Sequence, residues 1–189
     1  MAILTKLERL REVALDQHGF VTTEQAVQEG VSHAELSTLV ARDRLERVAH
    51  GVYRVPQVAA TEWDQYHLAV LWTGAPEACL SHDTALDAWE VSDINPSRIH
   101  LTVPRRRRIR RAGGEFFVVH HEDLEPAQVT WWQGIPTVNV PTAIAQCIAS
   151  GVPTYLIRQA LDRAGRTSRL RAAEAERLAN ALGARDARS

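Results

Sequence analysis

Off the apolar face of the stretch from Ser32 to Arg42 lie His33, Ser37, Thr38 and Arg42, side chains able to hydrogen-bond base edges in a major groove. Small hydroxyls and alanine also let a helix come close to a duplex. Just beyond, Arg44, Arg47 and Arg54 fall on a hairpin pattern, where guanidinium groups suit phosphates and fix register without reading sequence. A solvated hairpin with Asp43 and Glu46 as partners is the plainer reading of the same residues. Thr22 and Thr23 open a helix and suit either a phosphate at its N-terminus or a plain cap. The densest positive feature is the run from Arg105 to Arg111, six arginines in seven residues: Arg105, Arg106, Arg107, Arg108, Arg110 and Arg111. Such a run grips DNA, RNA or an acidic protein face, or stays a solvated loop.

Catalytic and metal chemistry finds little support. His120-His121-Glu122-Asp123 holds ligand types, but neighbours on a strand point to opposite faces, so the two histidines do not share an ion without a bend. Ser81-His82-Asp83 has nucleophile, base and acid types in consecutive order, which a helix start explains. A nuclease cluster of Asp, Glu and Lys lacks its lysine, because Lys6, the single lysine of the chain, lies in the first helix. Phosphate-binding and dinucleotide loops are absent from the sequence. We therefore expect no catalytic residue, no metal and no cofactor.

The elements that position these residues can be read in order. Residues 3–16 carry Leu4, Leu7, Leu10 and Val13 or Ala14 at helical spacing. Phe20-Val21 is extended. Thr22 with Gln25 and Ser32 with Glu35 are two capping boxes that open helices ending near Gln28 and Arg42, with Gly30 in the turn between them. Leu45–Val48 and Val52–Val55 alternate around His50-Gly51 as a two-stranded wing. This order spells a winged helix-turn-helix over residues 1–57. After a linker, residues 61–189 read as a second, α+β domain. In it we expect a helix over 61–73 with Trp63, Tyr66, His67, Val70 and Leu71 inward. A helix from Ser81 to Trp89 follows, then strands at Ile99–Val103 and Phe116–His120 and one strand over Val129–Val138. Helices begin near Pro141, at Thr154 and at Ser168.

Charge is local and not global. The net formal charge is −1, yet residues 58–97 carry seven acidic and no basic side chains while 98–121 carry seven basic and one acidic. A nucleic-acid site must therefore be a patch. Cys79 and Cys147 form no CxxC pair and read as buried thiols. No apolar run nears the roughly 18 residues of a membrane span, and the start lacks a signal-peptide pattern, so a cytoplasmic protein is expected.

The segments His18-Gly19-Phe20-Val21-Thr22-Thr23, Gln25-Ala26, Gly30-Val31-Ser32, Leu36, Leu39 and Leu45 to Arg54 together resemble the N-terminal domain of AbiEi-type antitoxins. Leu80 to Leu86, Ile99 to Arg105, Gly134 to Val138, Pro141 to Ile144 and Gln159 to Asp162 look similar to the same family's C-terminal domain. Where the family commonly has an Arg-Thr pair entering a helix that continues to Asp-Leu, this chain has Pro141-Thr142 and Gln146. The resemblance implies a non-enzymatic antitoxin of a type IV toxin–antitoxin pair. Such a protein represses its own operon by binding double-stranded DNA at inverted repeats, and it counters a cognate nucleotidyltransferase-like toxin. It implies base reading by His33, Ser37, Thr38 and Arg42 and phosphate contacts by Arg44, Arg47 and Arg54. Two alternatives are a nucleic-acid enzyme, such as a remote nuclease, and a ligand-sensing regulator, each using the winged helix for targeting.

Overall fold

Three reciprocal capping boxes start the first three helices, which explains why these short segments have defined ends. In the computed structural model, which describes residues 4–188, α1 (Lys6–Leu15) is capped by Thr5 and Glu8, α2 (Thr23–Gln28) by Thr22 and Gln25, and α3 (His33–Ala41) by Ser32 and Glu35. The first box adds to the two expected from sequence, and Leu4 lies before the helix and exposed, not on its inner face. Ile3, where the expected helix begins, is outside the described residues, as are Met1, Ala2 and Ser189. Between α2 and α3 the Gly30 backbone takes φ +77°, a left-handed conformation open to glycine, while the Val31 N–H bonds the Ala26 carbonyl.

Strand β1 (Phe20–Thr22) pairs antiparallel with β3 (Val52–Arg54), which pairs antiparallel with β2 (Glu46–Ala49). The extended Phe20-Val21 segment is thus a third strand, and the wing is the outer part of a sheet ordered β1-β3-β2. Leu10, Ala14, Val21, Ala26, Val31, Leu36, Leu45 and Val55 form the core beneath it. Element order and core together make a winged helix-turn-helix.

The chain's contacts form two compact units. One runs to Pro76 and also includes Arg108–Glu115; the other comprises Glu77–Arg107 and the chain from Phe116 onward. The helix α4 (Asp64–Thr73) belongs with the first unit, packing on β3, so that unit runs past the expected boundary between 57 and 61. Its inner face is His67, Ala69, Val70, Trp72 and Thr73. Trp63, Tyr66 and Leu71, expected inside, are only half-buried.

The second unit is built on a mixed sheet ordered β6-β5-β4-β8-β7: β4 (Cys79–Leu80), β5 (Ile99–Val103), β6 (Phe117–His121), β7 (Val129–Trp132) and β8 (Ile135–Val138). Val129 to Val138 is a hairpin and not one strand. Gln133 and Gly134 both take positive φ, at 48° and 74°, which turns the chain back in two residues. Helices α5 (His82–Ala88), α6 (Val140–Ala149), α7 (Thr154–Arg166) and α8 (Ala172–Asp186) complete the unit. Ser168 does not start α8; it sits in the turn after α7 at φ +56°. Cys79, Leu86, Ile144, Cys147, Ile157 and Leu182 lie in this unit's core. Among the described residues no helix is long and apolar enough to cross a membrane.

Candidate nucleic-acid interface

The outer side of α3 is smooth. His33, Ala34, Ser37, Thr38, Ala41 and Arg42 are all exposed, while Leu36 anchors the helix from within. The Ser37 hydroxyl donates to the His33 carbonyl at 3.0 Å and the Thr38 hydroxyl to the Ala34 carbonyl at 2.9 Å. With their protons turned into the helix, both oxygens face outward as acceptors, and the Thr38 methyl adds apolar contact. Nine residues give a rod about 14 Å long that fits a major groove about 12 Å wide.

An acid on such a face would repel a duplex, and Glu35 is the only one in α3. Its carboxylate accepts from the Ser32 backbone N–H at 2.9 Å and from Lys6 Nζ at 2.6 Å. Hydrogen bonds from Lys6 first, then from Ser32, hold its pKa down at about 2. The chain's single lysine thus neutralises the helix's single acid.

Arg42, Arg44 and Arg47 are exposed, and no hydrogen bond or ion pair engages their side chains among the described residues. Arg54 differs from its expected phosphate role. Its guanidinium, about one-sixth exposed, bonds Asp64 at 2.6 Å and the Val58 carbonyl at 3.3 Å. Thr22 and Thr23 are also engaged locally. The Thr22 hydroxyl caps Gln25, and the Thr23 N–H donates to the Gly51 carbonyl at 2.9 Å, which ties the start of α2 to the wing turn.

The arginine run does not act as one patch. Arg107 forks onto both oxygens of Glu77, with its closest nitrogen at 2.8 Å, and Arg106 bonds the same carboxylate. Arg105 is exposed, and its backbone N–H donates to Asp123. From Arg108 onward the chain belongs to the first unit. There Arg111 donates to the His50 carbonyl at 3.1 Å and the Trp72 carbonyl at 3.0 Å, while Arg108 and Arg110 are exposed.

In the second unit the sequence reading missed a histidine cluster, because its members come from three elements. His82 at the head of α5 stacks on His120 of β6 with ring centroids 3.5 Å apart, and His100 of β5 meets His120 through ring nitrogens at 3.1 Å. The buried Gln146 holds the assembly from α6: its carbonyl accepts from the His82 N–H, and its amide donates to Glu122 at 2.7 Å. Beside it is an open cleft of about 450 Å³ lined by Arg105, His120, Glu122, Thr142 and Gln146 among others. Burial first, then neighbouring histidines, pushes His82 down to about 3 and His120 to about 4, so both rings are neutral near pH 7. Ser81 meets His82 at 3.0 Å but is fully buried, out of a substrate's reach, and Asp83 bonds Cys147 instead of completing a triad. Among the described residues no group of three His, Cys, Asp or Glu is placed to hold a metal ion.

Residues 8–56 match a family model described as a transcriptional regulator, AbiEi antitoxin, a segment that runs from α1 past the end of β3. No curated protein matches the chain. Among solved structures, the crystal structure of the RV2827C protein from Mycobacterium tuberculosis is similar, with a TM-score of 0.52 and 17% identity. The likeness covers 95% of this chain and 82% of that one and extends to the fold alone.

Proposed function

From the match of its residues 8–56 to the family model of AbiEi antitoxin transcriptional regulators, we propose that this protein is a DNA-binding antitoxin that represses its own operon. It inserts α3 into the major groove at inverted repeats upstream of its gene. His33, Ser37, Thr38 and Arg42 meet base edges, and Arg44 and Arg47 hold phosphates. Thr22 and Thr23 act through the cap and the wing turn, and Arg54 acts as a structural residue. The second unit counters a nucleotidyltransferase-like toxin, and the protein performs no catalysis itself.

The observation that carries this reading is the exposed α3 surface of small side chains beside unengaged arginines, with its one acid neutralised by Lys6. A solvated surface helix has no need of that combination. Two arms test the reading in a host that lacks the operon. A reporter driven by the upstream region is silenced by the wild-type protein and released by Ala41→Glu, and co-expression with the product of the adjacent gene restores growth that this product alone arrests. An active reporter at full protein level contradicts repression. Arrest without rescue contradicts the antitoxin role.

A further inference from the structure

The open cleft beside the histidine stack lies wholly in the second unit, and its volume of about 450 Å³ is typical of small-molecule sites. Its place in the fold is one that ligands favour. Strands β5 and β6 run parallel, and Arg105, His121 and Glu122, at or just past their carboxyl ends, line it. Helix α6 supplies a second wall, from Thr142, Ala145, Gln146 and Ala149, whose spacings of three and four put them on one face. From Thr142 to Ser150 that wall runs about 12 Å, long enough for a two-ring base and a ribose.

The inner end of the cleft is polar where packing alone would favour apolar side chains. His82, Thr142 and Gln146 are all buried there. His82 holds φ +51° at the head of α5, a left-handed backbone that strains a residue with a Cβ, and its N–H is tied to the Gln146 carbonyl at 3.2 Å. These groups spend only part of their hydrogen-bonding capacity on one another. The Gln146 amide gives one proton to Glu122 Oε2 and has a second, and Glu122 Oε1 has no protein donor among the described residues. His120 meets His100 through Nε2, which leaves Nδ1. An ordered network with donors and acceptors to spare suits a ligand that carries both.

Charge and shape narrow the ligand further. Arg105 and Glu122 offset each other in formal charge, and the His82 and His120 rings are neutral near pH 7, so the cleft suits a ligand without net charge. Those two rings lie within 13° of parallel, and the alanines of α6 add no bulk, which favours a flat heterocycle stacked on imidazole. An amino-acid zwitterion fills only a fraction of this volume. A sugar alone makes no use of the ring surface.

We propose that the cleft between α6 and the carboxyl ends of β5 and β6 binds a free purine nucleoside, with a base N–H donating to Glu122 and the ribose lying toward Ser150. Adenine and guanine both carry such a donor. The proposal goes beyond the DNA-binding reading, because it gives the second unit a small-molecule ligand of its own.

Equilibrium dialysis of the full chain against labelled adenosine and labelled guanosine tests it. At least one should be held with a Kd below about 1 mM, and an excess of ribose should not displace it. Glu122→Gln, which keeps an acceptor for the Gln146 amide, should weaken binding by about tenfold or more. Ala149→Phe, at an exposed position on the α6 wall, should abolish binding at an unchanged melting temperature, and Ala145→Leu blocks the same wall as a second variant. No binding of either nucleoside, displacement by ribose, or wild-type affinity in Glu122→Gln or in both blocking variants overturns the proposal. A single-stranded oligonucleotide that displaces the nucleoside better, base for base, than free nucleoside does assigns the cleft to nucleic acid and overturns it as well. Reporter silencing through α3 is read separately, so none of these results decides the DNA-binding reading.

Discussion

The Arg54 guanidinium donates to the Asp64 carboxylate at 2.6 Å and sits over the Phe20 ring, 5.3 Å from its centroid, so β3, α4 and β1 meet at one cation. Asp64 also accepts the Thr61 N–H at 3.0 Å and the Thr61 hydroxyl at 2.6 Å. Removing the arginine leaves a largely enclosed carboxylate short of its strongest partner. Arg54→Ala should lower stability by about 1.5–3 kcal/mol, read in urea melts, whereas the exposed Arg47→Ala should leave the melt unchanged. A phosphate role for Arg54 predicts the opposite pattern: weaker DNA binding at wild-type stability.

Base reading and phosphate contact separate by sequence dependence. Thr38→Ala and Arg42→Ala should weaken binding to the upstream repeat by about 1–3 kcal/mol and leave arbitrary duplexes nearly unaffected. Arg47→Ala should weaken all duplexes alike. Competition assays with both kinds of DNA distinguish the two, and a uniform effect from Arg42→Ala contradicts its place at a base edge.

The histidine stack makes the second unit sensitive to acid. An unfolded histidine titrates near 6.5, whereas burial and mutual repulsion hold His82 at about 3 and His120 at about 4 when folded. Above about pH 6.5 both states are neutral and stability is at its full value. As pH falls below that, the unfolded chain takes up protons that the folded chain refuses, and stability declines until the folded values are reached. His67 in the first unit, held at about 4 mainly by burial, adds a decline of the same sign. Melting temperature should therefore drop steadily between about pH 6.5 and 4, and His120→Gln should flatten that dependence. A wild-type slope in His120→Gln contradicts it.

Both thiols should be inert in the native protein. Cys79 and Cys147 are fully buried, and burial pushes both upward, Cys79 to about 12. Alkylation near pH 8 should proceed only as fast as the chain unfolds. Rapid labelling of folded protein contradicts this.

Much of the winged unit was legible because its determinants are local. The pairs Thr22 with Gln25 and Ser32 with Glu35 sit three residues apart, and Gly30 marks the turn; in each case sequence spacing and spatial contact coincide. The sequence also singled out the exposed residues of α3. Contacts between distant segments were not legible. Arg54 reads as a wing cation until Asp64 arrives from a helix that pattern alone assigned to the next domain. The arginine run reads as one patch until Glu77 takes Arg106 and Arg107 and the His50 carbonyl takes Arg111. His82, His100 and His120 are about 20 residues apart in sequence, and only the parallel pairing of β5 with β6 brings His100 and His120 to one face. The hairpin at Gln133-Gly134 escaped because glutamine is an uncommon residue at positive φ.

The central claim is that the exposed face of α3 enters a duplex, and Ala41→Glu tests it most directly by placing a charge at that surface without touching the core. Polarisation of a labelled upstream duplex at about 100 mM salt should show wild-type binding that survives excess unrelated DNA, with at least tenfold weaker binding by Ala41→Glu at an unchanged melting temperature. Folded wild-type protein that ignores the duplex, or Ala41→Glu that binds it as well as wild type, would contradict the account.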